Sequence, residues 1–144
     1  MLTAKKLLVS TGFLLTLGLA GCGDNEEVSQ PVSQENAESE FGFVSFELDI
    51  DTADTRDAVE VSFDAENNQT EAEYINRLES EELYGDEAYE YLKQVFQNLD
   101  IQKGMEQQEV ISRVLKEFNV SDYIEFELDI EFDDRTEVEY RDKK

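Results

Sequence analysis

One cysteine, Cys22, closes the run Leu19-Ala20-Gly21-Cys22 near the start of the chain. A thiol behind small residues suits one chemistry in particular. Small side chains admit the backbone to a signal peptidase, and the sulfur takes a diacylglycerol as a thioether. The tetrapeptide has the form of a bacterial lipobox, with Leu19, Ala20 and Gly21 as the peptidase recognition residues and Cys22 as the lipidation site. The second chemistry-bearing set is acidic. In "DIDTADTRDAVE", Asp49, Asp51 and Glu60 hold the first, third and twelfth places of a calcium-binding loop. Ala53 fills the fifth place, Asp54 stands where such a loop needs glycine, and the flanks read as strands. No metal site is therefore assigned, and Asp49, Asp51 and Glu60 stay weak candidates for diffuse cation binding.

Catalysis has little to work with. The chain has no histidine, its one cysteine is committed to lipid, and no glycine-rich loop could cradle phosphate. Paired carboxylates can exchange protons with a substrate, but they need a cleft. The expectation is a protein that is not an enzyme and has no cofactor.

The cysteine requires an export signal, and the preceding residues supply one. Lys5 and Lys6 give the positive start, and "LLVSTGFLLTLGLA" gives an apolar stretch too short for a comfortable membrane span. Residues 1–21 are thus a lipoprotein signal peptide, and the chain is anchored at Cys22 to the cell membrane, facing the extracytoplasmic side. Residues 22–40 contain the lipidated cysteine and "GDNEEVSQPVSQENAESE", polar and without hydrophobic period, which predicts a disordered acidic tether. Residues 41–142 are long enough for one small domain. Removing residues 1–21 takes away Lys5 and Lys6 and no acid, so the formal charge moves from −24 to −26. That charge excludes nucleic acid as a partner. An exported protein stays soluble in saline or alkaline medium by carrying acids, a more economical account than a dedicated acidic binding function.

Period two dominates the domain. Val44, Phe46, Leu48 and Ile50 alternate with Glu47, Asp49 and Asp51, and Val59, Val61 and Phe63 alternate with Glu60 and Asp64. The cleanest case sets Ile124, Phe126, Leu128, Ile130 and Phe132 against Glu125, Glu127, Asp129, Glu131 and Asp133. Each is a half-buried antiparallel strand. A turn near 133–135 leads to a short last strand with Val138 and Tyr140 inward. Helical spacing takes over in 86–99, with Asp86 as N-cap and Ala88, Leu92, Val95, Phe96 and Leu99 in a stripe. It returns in 106–118 through Val110, Ile111, Val114, Leu115 and Phe118, after a break at Gly104. Residues 70–79 fit either period; the turn residues before them favour a strand.

Together with the lipobox and the acidic tether, "EAEYINRLESEELYGDEAYEYL" and "EVISRVLKEFNVSDYIEFELDIEFDDRTEVEY" resemble the YusW-like family of Gram-positive lipoproteins. The resemblance covers most of the mature domain. It implies no established activity and transfers no site residues. Members usually carry Asp-Gly at the final hairpin, where this chain has Asp134-Arg135, so the turn is expected to differ. The expected fold is α+β, an antiparallel sheet of four to five strands in the order β-β-β-α-α-β-β with two helices covering one face. A spatial order 3-2-1-4-5 puts the two "FELDI" stretches side by side at the sheet centre. The uncovered face then gathers carboxylates from every strand. Two roles suit it: an interaction or accessory module engaging a basic protein partner, or a cation-responsive domain with weak divalent binding.

Overall fold

The computed structural model of the protein describes residues 26–66 and 68–144. The predicted signal segment and Cys22 lie outside the described residues. The elements run α1 (Gln34–Phe41), β1 (Phe43–Asp51), β2 (Val59–Asp64), β3 (Glu71–Asn76), β4 (Glu81–Tyr84), α2 (Gly85–Leu99), α3 (Gln107–Glu117), β5 (Glu125–Phe132) and β6 (Glu137–Lys143). The strands form one six-stranded antiparallel sheet in the order β4-β3-β2-β1-β5-β6. The class is α+β, with one strand more than expected and with residues 71–76 as a strand.

The repeated "FELDI" explains itself at the centre. β1 and β5 are antiparallel neighbours in a register that pairs Phe46 with Ile130, Glu47 with Asp129, Leu48 with Leu128, Asp49 with Glu127 and Ile50 with Phe126. The motif read forwards meets the same motif read backwards, with the two leucines at the local twofold. Each large aromatic meets a β-branched partner and each acid meets an acid, so one pattern serves both strands.

The apolar face is covered by helices. Leu92, Val95, Phe96 and Leu99 of α2 and Val110, Ile111 and Val114 of α3 are buried in a core with the inward sheet residues. Phe96 is its hub, with ring centroids 5.3, 5.0, 5.0 and 5.2 Å from Phe41, Phe43, Phe46 and Phe63. Such edge-to-face and tilted contacts add to the stabilisation from area alone.

Five expectations need correction. β4 was not foreseen, because an edge strand of four residues with both faces partly exposed shows no period. Residues 26–40 are not a disordered tether. Val28 is only 3% exposed and Ala37 is fully buried. Ser33 caps α1 by accepting the Asn36 N–H at 3.2 Å, and Gly42 closes it in the left-handed region at φ 77. These caps and a few widely spaced apolar residues dock the segment without any hydrophobic run. Asp86 is not the N-cap of α2. Tyr84 occupies that position, and Asp86 lies in the first turn, accepting from the Ser29 N–H at 2.8 Å and the Ser29 hydroxyl at 2.6 Å. Finally, a bulge between Phe43 and Ser45 shifts the start of β1, so Phe43 joins the aromatic core alongside Phe46. At the opposite end Ile124 is 42% exposed, being one residue ahead of β5, and Tyr123 is buried in its place.

The final turn places a non-glycine residue in a glycine-favoured conformation. Arg135 adopts φ 64, the conformation that glycine takes most easily. Its guanidinium compensates by reaching Glu66 at 2.7 Å and Glu131 at 2.6 Å.

Candidate functional site

Because the pleat alternates, the face away from the helices receives the residues between the core positions. β1 presents Ser45, Glu47, Asp49 and Asp51, flanked through the register by Glu60, Ser62 and Asp64 of β2 and by Glu125, Glu127, Asp129 and Glu131 of β5. Further out come Glu71 and Glu73 of β3 and Glu137, Glu139 and Arg141 of β6. Acids therefore face acids across the central strands: Asp49 lies between Glu60 and Glu127, and Glu47 lies between Ser62 and Asp129. Like charges so placed repel.

Basic side chains sit at the margins. Arg141 bridges Glu127 at 2.6 Å and Asp129 at 3.1 Å, with Glu139 at 3.6 Å, and Lys143 pairs with Glu125 at 2.9 Å. On the other flank Arg77 pairs with Glu60. Between these flanks a shallow concavity of about 220 Å³ is lined by Glu47, Asp49, Glu60, Ser62, Glu73, Glu127 and Asp129.

The geometry shifts protonation. Glu47 is pushed up to about 7, first by the crowding that strips water from its carboxyl and then by Asp64, Glu73 and Asp129, against a lowering hydrogen bond from the Ser62 hydroxyl at 2.9 Å. Its side chain is exposed at the surface, yet its place on the central strand surrounds the carboxyl with protein on both sides. Asp49 rises to about 6 through desolvation, then Asp57, Asp51, Glu60 and Glu127. Glu73 rises to about 7 through desolvation and then through the charge and hydrogen bond of Glu26. At neutral pH this face therefore holds protons that isolated carboxylates would have released. It can exchange protons and attract cations across an open concavity.

The structure brings together part of the sequence-predicted cation set. Carboxylate oxygens of Asp49, Asp51 and Asp57 lie within 4.8 Å of one another. Glu60 is not in that group, because it is turned to Arg77. Asp57, ninth in the same run, takes its place through the β1–β2 loop, where its N–H donates to Asp51 Oδ1 at 2.6 Å and its backbone stands at φ 48. Sequence reading missed Asp57. The loop-position pattern that selected Glu60 assumes a helix-flanked loop, whereas a hairpin folds its ninth residue back over its third. Cys22, Leu19, Ala20 and Gly21 lie outside the described residues.

Fold and site together define a small α+β domain with helices on one face and an open carboxylate array on the other. The family model described as YusW-like protein matches residues 44–134, and the chain belongs to that family. The match runs from the bulge in β1 to the turn before β6, so all the central acidic strands fall within it. Neither the curated proteins nor the solved structures contain a match.

Proposed function

We propose that the protein is a lipoprotein anchored through Cys22 to the outer side of the cell membrane, whose acidic sheet face serves as a non-enzymatic interaction or accessory surface. The "LAGC" run after a charged and apolar leader supports the anchor. The described residues contain no helix long and apolar enough to cross a membrane. The observation that carries the surface reading is the central band of Glu47, Asp49, Glu127 and Asp129, paired acid to acid in register and flanked by Arg77 and Arg141. A band of crowded carboxylates with basic side chains only at its flanks gains from a partner that brings lysine or arginine, and such contacts weaken as salt rises. A pull-down from native membranes tests this. The reading expects partners retained at low salt, released near molar salt, and lost when Glu47, Asp49 and Asp129 become amides. Partners that survive those amide substitutions contradict it. The anchor is tested by fatty-acid labelling: Cys22→Ala should remove all label, and retained label contradicts the lipoprotein reading.

A second reading is favoured by the convergence of Asp49, Asp51 and Asp57 within 4.8 Å. On that reading the domain responds weakly to divalent cations. Calcium at matched ionic strength should then raise the melting temperature saturably, and Asp57→Asn should abolish the increment. Exchanging aspartate and glutamate elsewhere on the face leaves an interaction surface working but does not restore a disrupted coordination site.

A further inference from the structure

The segment before α1 closes the sheet in an unusual way. β4 pairs with residues 73–76 of β3 and leaves Glu71 and Ala72 of that edge open. Residues 26–28 fill the gap. The Ala72 N–H donates to the Glu26 carbonyl at 2.9 Å, the Val28 N–H donates to the Thr70 carbonyl at 2.8 Å, and Glu27 bridges Glu71. Val28 is buried, and the chain is fastened again by the Val32 N–H on the Thr70 hydroxyl at 2.9 Å and by Ser29 on Asp86.

What docks is acidic, and so is the edge that receives it. Glu26 and Glu27 lie against Glu71 and Glu73. We propose that residues 26–32 are a proton-governed strap, closed over the β3 edge when the Glu26–Glu73 carboxyl pair holds a proton and released when both carboxyls are charged. A hydrogen bond between two carboxyl side chains exists only while one is protonated, and Glu73 is the member held toward its neutral form. The other groups facing Glu73 do not cancel this. Glu60 and Glu47 add negative charge, Arg77 opposes them but is drawn to Glu60, and Tyr84 is the register partner on β4.

The sign follows from linkage. Docking raises the Glu73 carboxyl, so the closed strap binds a proton that the open strap gives up. Closure therefore weakens as pH rises toward about 7 and levels off above it; below the ordinary carboxylate range it weakens again, because Asp86, held low by its bonds from Ser29, becomes protonated. If Cys22 is lipidated, as proposed above, opening lengthens the reach from the membrane. Seven released residues span at most roughly 25 Å when extended. The switch itself does not depend on the anchor.

Hydrogen exchange on the full chain in detergent micelles tests it, comparing protection factors at about pH 5.5 and about pH 8.5. Amides of residues 26–32 and of Ala72 should lose protection by about tenfold or more at the higher pH, while those of the central strands remain protected. Glu73→Gln supplies a permanent amide donor and should keep the strap closed at both pH values, as should Glu26→Gln from the other side. Equal strap protection at both pH values in the wild-type chain, or a loss unchanged in both variants, overturns the proposal. Central-strand protection in each variant reports whether it is folded.

Discussion

Leu48 and Leu128 are register partners at the middle of the sheet, both buried, on the two strands that carry the same five letters. The relationship sets both sides of the domain at once. Inward, it stacks Phe46 on Ile130 and Ile50 on Phe126 beside the leucines; outward, it aligns Glu47 with Asp129 and Asp49 with Glu127.

The inward side sets stability. Leu128→Ala or Phe126→Ala should each cost roughly 2–5 kcal/mol, a large fraction of what a small domain has. Glu127→Gln loses the exposed pair with Arg141 but relieves Asp49, so its effect should stay within about 1 kcal/mol of zero. Urea denaturation measures all three. Glu127→Gln as costly as Leu128→Ala would contradict the register.

Acidification should first stabilise the fold. Glu47 and Glu73 sit near 7 and Asp49 near 6, above their unfolded values, so the native state takes up protons before the unfolded chain does. Stability should rise as pH falls from about 8 to about 5. At lower pH the sign reverses. Asp86, Asp122 and Asp134 are held below the usual range by their hydrogen bonds, and the stability they supply is lost as they protonate. A melting-temperature profile with a maximum on the acidic side of neutral is expected; a plateau from pH 5 to 8 would contradict the shifts.

Sodium chloride should raise the melting temperature toward molar concentration, where the Debye length is about 3 Å. Potassium should act alike, because screening does not distinguish the two. A flat response would mean that the facing acids do not interact.

The last hairpin gives a test in which two effects oppose. Arg135→Gly removes a left-handed conformation that costs a non-glycine residue roughly 1–2 kcal/mol, but it deletes the exposed, salt-sensitive pairs to Glu66 and Glu131. At low salt the variant should match the wild type. At high salt, with the pairs screened, it should be the more stable of the two.

Much of this architecture was legible because burial on one face leaves a period in the sequence. Phe126 to Phe132 alternates without a break, and the stripes from Leu92 to Leu99 and from Val110 to Val114 carry the helical repeat. The features that escaped are those whose signal lies in a partner. The bulge at Val44 is invisible in "FVSF" until β5 fixes which residue pairs. Val28 and Ala37 are single apolar residues whose burial depends on β3 and α2 already being in place. β4 has only Leu83 turned toward the core. Asp57 joins Asp49 and Asp51 through loop geometry that spacing alone does not encode.

Protonation of Glu47 is the most direct test of the account. Its carboxyl carbon can be followed through a pH titration by NMR in the folded protein, with Glu47→Gln identifying the resonance. A midpoint near 7, moving down when Asp129→Asn and Glu73→Gln remove the facing charge, is the predicted result. A midpoint near the ordinary glutamate value of about 4.3, unmoved by those substitutions, would show that the carboxylates on this face are independent and would contradict the account.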